Sequence, residues 1–208
     1  MSSTRDSRIT GLYGMADHEA SGGEPERLAA ALLQGGCRLI QYRAKGVATE
    51  EMLRISRHIS RRCAAAGALY LLNDHPSLVE AAHADGAHIG QTDGDPRAAR
   101  ALLGADKVLG ISTHGPEQAL EASQWADYIA FGPIFATPNL SRPKTVQGPE
   151  ALRAIAAALG GRRPLVAIGG IQAHHIVQLR ECGADAWAVI GAIAGAPNPV
   201  EATRQFMS

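Results

Sequence analysis

Cys37-Arg38-Leu39-Ile40-Gln41-Tyr42-Arg43-Ala44-Lys45 decides the fold. An apolar run with the character of a strand leads into Gln41-Tyr42-Arg43-Ala44-Lys45, which carries two cations. The next segment, Glu50–Cys63, carries Met52, Ile55, Ile59 and Cys63 at spacings of three and four, one buried stripe along a helix. After Gly67 the chain turns apolar again over Ala68–Asn73 and again ends polar, at Asn73-Asp74-His75. A strand, a helix and a second strand make a βαβ unit. Both strands are apolar on both faces, as buried parallel strands must be.

The unit recurs in both directions along the chain. Strands are predicted over Gly11–Met15, Cys37–Tyr42, Ala68–Asn73, Gly86–Ile89, Lys107–Ile111, Tyr128–Phe131, Leu165–Ile168 and Ala186–Ile190, with helical segments between them. Pro25, Pro76, Pro96 and Pro116 sit near predicted helix starts, where a missing N–H costs little. Gly35-Gly36, Gly67 and Gly183 follow helices, where a left-handed residue is wanted. Eight units in 208 residues, about 26 residues each (208 divided by 8), predict one α/β domain over residues 1–208, a (β/α)8 TIM barrel near the lower end of that fold's size range. Residues 1–9 read as a flexible N-terminal segment. An open doubly wound sheet is the alternative, but it would more often carry a glycine fingerprint after its first strand, and Gly11-Leu12-Tyr13-Gly14 does not match one. The one long connection, Ala136 to Gln147, holds Pro138, Asn139 and Pro143, and a loop of that length in a compact domain is often functional.

Composition narrows the function classes. Hydrophobic residues make up 46%, and 20 Lys and Arg balance 20 Asp and Glu. A nucleic-acid binder usually shows a basic excess, and none is present. Arg54, Arg57, Arg61 and Arg62 fall largely off the helical stripe and read as a solvated face. Met1–Thr10 has no apolar segment of a secretory signal, and no apolar run approaches the roughly 18 residues of a membrane span. Cys37, Cys63 and Cys182 are odd in number and widely spaced, so they read as reduced core residues of a cytoplasmic protein.

In a barrel the carboxyl ends of the strands build the active site. Gln41, Arg43 and Lys45 alternate, so in extended chain they face one side. Asp74 and Asp93 follow the third and fourth strands, and two carboxylates on adjacent rims suit Mg²⁺, which takes one or two protein carboxylates plus phosphate oxygens and waters. Each also has a plainer reading: Asp74 as a helix N-cap in Asn-Asp-His-Pro, Asp93 as turn chemistry in Asp-Gly-Asp-Pro. Ser112-Thr113-His114 offers hydroxyls or a cap, and His114 reads as a structural partner before a general base. Thr137, Arg142 and Lys144 put a hydroxyl and two cations on the long loop, suited to closing over a pyrophosphate. Gly169-Gly170 and Gly191 end the seventh and eighth predicted strands and let backbone N–H groups approach a phosphate. His83, His88, His174 and His175 lack a metal-ligand spacing.

Taken in order, these segments resemble thiamine-phosphate synthases: Gln41-Tyr42-Arg43-Ala44-Lys45, Asn73-Asp74, Asp85-Gly86-Ala87-His88-Ile89-Gly90-Gln91-Thr92-Asp93, Gly110-Ile111-Ser112-Thr113-His114, Gly132-Pro133-Ile134-Phe135-Ala136-Thr137 and Ala167-Ile168-Gly169-Gly170-Ile171. The resemblance implies a barrel enzyme that joins a hydroxymethylpyrimidine diphosphate to a thiazole phosphate and releases pyrophosphate. It implies Asp74 and Asp93 as Mg²⁺ ligands. It puts Arg43, Lys45, Asn73, Ser112, Thr137 and Lys144 on the diphosphate, Gln41 on the pyrimidine, and Gly170, Ile190 and Gly191 around the thiazole phosphate. It implies phosphorylated small molecules as partners, without nucleic acid or membrane, and leaves a homo-oligomer open. Two departures stand out. The family usually has Thr-Lys close behind Gly-Pro-x-Phe-x-Thr, whereas here Lys144 is displaced, so Lys144, or failing it Arg142, is expected to reach the diphosphate. Gly191 stands where members often have serine, so a weaker hold on the thiazole phosphate is expected. The competing readings are a thiazole tautomerase with His114 as its acid/base, and a non-catalytic binder of thiamine precursors.

Overall fold

The computed structural model describes residues 6–137 and 145–207. Eight parallel strands close on themselves: β1 (Gly11–Asp17), β2 (Leu39–Arg43), β3 (Leu69–Asn73), β4 (Gly86–Ile89), β5 (Val108–Thr113), β6 (Tyr128–Phe131), β7 (Leu165–Ile168) and β8 (Ala186–Val189), each paired to the next and β8 to β1. Around them run α1 (Pro25–Gln34), α2 (Thr49–Ala65), α3 (Val79–Ala82), α4 (Pro96–Leu103), α5 (Pro116–Ala122), α6 (Gly148–Leu159), α7 (Ile176–Glu181), α8 (Gly191–Ala194) and α9 (Pro199–Gln205). This is the (β/α)8 barrel that the eight repeated units predict. Pro25, Pro96 and Pro116 open α1, α4 and α5, and Pro76 opens a 3-10 turn ahead of α3.

The two faces of each short strand serve two cores. Tyr13, Met15, Leu39, Leu69, Leu71, Val108, Tyr128, Ala130, Val166 and Ala186 fill the barrel interior. Their neighbours Leu12, Ile40, Tyr42, Tyr70, Leu72 and Ile129 point outward to the helices, where Met52, Ile55, Ile59 and Cys63 of α2 supply the predicted stripe. Arg54, Arg57, Arg61 and Arg62 are exposed, as a solvated face requires. The three cysteines are buried and free.

Ile9 is 2% exposed and packs with the interior residues. The segment expected to be flexible over 1–9 thus ends on an apolar side chain held against the barrel interior. A further pattern fixes the strand starts. Asp85, Asp127 and Asp185 each follow an alanine and precede β4, β6 and β8, and their carboxylates accept the N–H groups of Tyr70, Leu109 and Leu165 on the preceding strands. Among the described residues no helix is long and apolar enough to cross a membrane.

Candidate active site

Polar side chains gather where β1 to β5 end. Asn73 is the last residue of β3 and lies beside His88 of β4 in the register. Asp74 then turns sharply, with φ at 65°, and its N–H donates to the His88 carbonyl at 2.8 Å. Asp93 is tied differently: its Oδ2 accepts the Gly90 N–H at 2.8 Å. A Cβ on Gly90 would stand 2.9 Å from that oxygen, so the glycine lets the carboxylate close over the turn. The two turns put the Asp74 and Asp93 carboxyls close enough to act on each other. Burial, and then the Asp93 carboxylate, push the Asp74 carboxyl up to about 6, while Lys45 and Arg43 pull it down. Two carboxylates and two cations thus feel one another on one rim, as the sequence pattern implies.

Two carboxylates held together suit a hard cation that completes its shell with waters and phosphate oxygens. Among the described residues no three His, Cys, Asp or Glu side chains come together as a metal cluster, so a zinc-type cage is not offered.

Arg43 does not stand alone at the rim. β1 runs two residues past its predicted end, to a nearly buried Asp17, whose Oδ2 takes a hydrogen bond from the Arg43 guanidinium at 2.5 Å. Asp17 Oδ1 accepts the Ala20 N–H. The signal for Asp17 lies in the period of two, since it continues the inward series Tyr13, Met15. Lys45 is exposed in the loop after β2.

Inside the barrel, Gln41 Nε2 donates to Tyr13 Oη at 2.6 Å, and Tyr13 Oη lies 2.8 Å from Tyr128 Oη. Tyr128 Oη lies 2.8 Å from His88 Nδ1, and His88 Nε2 2.8 Å from Ser112 Oγ. Gln41 and Ser112, both expected at the site, are thereby linked through three residues that the sequence did not single out for chemistry. Gly110 makes the crossing of Tyr128 possible: a Cβ there would meet the phenol carbon Cζ at 2.0 Å. Burial pushes the His88 ring down to about 4, Asp93 opposing. His114 takes the structural role expected of it, with Nδ1 2.6 Å from the Gly132 carbonyl oxygen.

The glycines after β7 have a packing reason the sequence reading did not include. Gly169 has φ 91° and a Cβ there would meet Pro133 at 2.4 Å; Gly170 has φ 66° and its Cβ would meet the Ala136 carbonyl oxygen at 2.4 Å. The loops after β6 and β7 lie backbone on backbone, with Ile134 N–H donating to the Ile168 carbonyl and Phe135 N–H to that of Gly169. Ile190 caps α8 and Gly191 opens it. Thr137 is half-buried at the end of the described stretch after β6. Arg142 and Lys144 lie outside the described residues.

A family model described as thiamine monophosphate synthase matches residues 12–193. A thiamine-phosphate synthase from Chromobacterium violaceum is 41% identical over 199 residues, covering 95% of this chain and 94% of that protein. One from Geobacillus kaustophilus is 42% identical over 182 residues, covering 84% and 81%. A solved thiamine phosphate pyrophosphorylase from Pyrococcus furiosus is similar with a TM-score of 0.86 and 30% identity, covering 96% of this chain and 95% of that one.

Proposed function

The chain belongs to the thiamine monophosphate synthase family, and from that premise we propose that it condenses 4-amino-2-methyl-5-hydroxymethylpyrimidine diphosphate with 4-methyl-5-(2-phosphoethyl)thiazole. The thiazole nitrogen bonds to the pyrimidine methylene carbon, the carbon–oxygen bond to the diphosphate breaks, and thiamine phosphate and pyrophosphate result. It is a transferase of thiamine biosynthesis. No protein nucleophile is needed, because the pyrimidine's amino group stabilises positive charge on the methylene. What the site must do is hold the two substrates in line and stabilise the departing pyrophosphate.

The observation that carries this reading is the convergence of Asp74 and Asp93 on a rim that also bears Lys45 and Arg43. Asp74 and Asp93 would hold Mg²⁺. When bound, Mg²⁺ neutralises charge on the diphosphate oxygens. Lys45, Arg43 and Asn73 bind the diphosphate, with Asp17 holding the Arg43 guanidinium. Ser112, Thr137 and Lys144 complete the diphosphate set, Gln41 contacts the pyrimidine, and Gly170, Ile190 and Gly191 receive the thiazole phosphate. The reaction takes place in the cytoplasm.

The test is pyrophosphate release by purified protein given both substrates, with Mg²⁺ and then with EDTA. Release that requires the thiazole phosphate and stops with EDTA supports the assignment. Binding of both substrates without release would replace it with a non-catalytic binder, and turnover indifferent to EDTA would remove the metal.

A further inference from the structure

Resting on the reaction proposed above for the identity of the ligand, we propose that Gln41, Tyr13, Tyr128 and His88 form a one-way hydrogen-bond chain. It fixes His88 as the Nε2–H tautomer and turns the Ser112 hydroxyl proton outward to the diphosphate.

The links are 2.6 to 2.8 Å long and join β2, β1, β6, β4 and β5. Hydroxyls and a neutral imidazole can carry their protons in either sense, so distances alone leave the direction open. Gln41 turns Nε2, not Oε1, toward Tyr13, and in that orientation it only donates. Tyr13 Oη accepts from it, so the Tyr13 proton goes to Tyr128. The Tyr128 proton then goes to His88 Nδ1, which must be bare. The ring proton therefore sits on Nε2 and goes to Ser112 Oγ. The Ser112 proton is the one left without a recipient in the chain, and Ser112 stands half-exposed at the rim.

The far end makes the same demand. A diphosphate offers only acceptors. Run the other way, the chain would direct the Ser112 proton at His88 and face the anion with lone pairs. The near end is also poised for a ligand: Gln41 Oε1 is buried and has no hydrogen-bond partner among the described residues. An oxygen so placed accepts from an amino group, which the aminopyrimidine carries. As positive charge grows on that ring its N–H groups become stronger donors, and mutual polarisation along the chain strengthens the Ser112 donor while negative charge grows on the pyrophosphate. Tyr13, Tyr128 and His88 are positioning residues, acting through Ser112.

The first measurement is the long-range ¹H–¹⁵N spectrum of the full chain labelled at histidine nitrogens, with His88 assigned by comparison with His88→Gln. At pH 7.5 the expected pattern is a neutral ring protonated at Nε2. A ring protonated at Nδ1, or a charged ring, overturns the proposal. The second is a double-mutant cycle on pyrophosphate release. Tyr128→Phe is expected to lower kcat about tenfold with KM for the diphosphate little changed, and to cost less than about twofold more in a Ser112→Ala background. An undiminished loss in that background would make Tyr128 a packing residue and overturn the proposal. The spectrum needs neither turnover nor a folded variant of Tyr128, so a wild-type chain that released no pyrophosphate would defeat the synthase reading while the chain's direction was still decided.

Discussion

Asp74 holds a φ of 65°, a left-handed backbone that a residue with a Cβ seldom takes. The turn sends its N–H back to His88 and its carboxyl toward Asp93. Burial, and then repulsion from the nearby Asp93 carboxylate, raise the Asp74 carboxyl to about 6 against the pull of Lys45 and Arg43. The consequence has a sign. Mg²⁺ must displace the proton, so below about pH 6 the apparent affinity for Mg²⁺ should fall, approaching tenfold per pH unit. The check is the Mg²⁺ dependence of pyrophosphate release at pH 7.5 and 5.5; equal midpoints would remove Asp74 from the metal site. In the metal-free protein the same raised value means that the folded state holds this proton more tightly than the unfolded chain, a contribution that favours folding as pH falls from above 6 toward 4. At this scale the sequence was readable wherever a charge broke an apolar run, as at Arg43, Asp74 and Asp93. Asp17 was hidden because it continues a strand, and His88 because a lone histidine inside a strand carries no pattern.

β5 and β6 show how one element makes room for another. In the register Gly110 lies between His88 of β4 and Tyr128 of β6, and the Tyr128 phenol fills the space its missing side chain leaves. Gly110→Ala should therefore cost about 1–3 kcal/mol by overpacking, read as a shift in the denaturation midpoint, and Tyr128→Leu should recover part of that loss in the double variant. Additive losses would mean the two positions do not share the space. Gly191 has the opposite character: it opens α8, is exposed and is not among the left-handed glycines. Gly191→Ser should keep the fold and lower KM for the thiazole phosphate about fivefold through one added hydrogen bond; an unchanged KM would remove the phosphate from this turn. Strand positions were legible because parallel strands covered on both faces must be apolar throughout. Their ends were not, since β1 and β5 run on into Asp17 and Thr113, polar residues kept in the ladder by partners on other strands. The packing of Gly169 and Gly170 against the loop after β6 was likewise out of reach, because it depends on elements far apart in the chain.

The whole molecule pays for its interior chain through pH. A barrel core normally holds apolar layers, but this one encloses two tyrosines, a glutamine and a histidine joined by hydrogen bonds, with Gln41 Oε1 left over. Closure of eight strands removes them from water, and the fully enclosed His88 ring falls from 6.5 to about 4, with Asp93 the charge that opposes the fall. The unfolded chain takes up the proton near pH 6.5 and the folded barrel does not until about 4, so stability is complete above 6.5 and is lost as pH falls through that window. At pH 5 the loss from this group is about 2 kcal/mol, a sizeable part of a domain's net stability. Asp74 acts in the opposite sense over the same window, so the net curve is shallower than His88 alone would give. The separating experiment is urea denaturation of the metal-free protein at pH 7.5 and pH 5, with and without His88→Gln. The wild-type barrel should lose stability relative to the variant by about 2 kcal/mol between the two pH values. Parallel curves would mean that His88 titrates alike in the folded and unfolded states, and that the barrel interior is open enough to water to charge it.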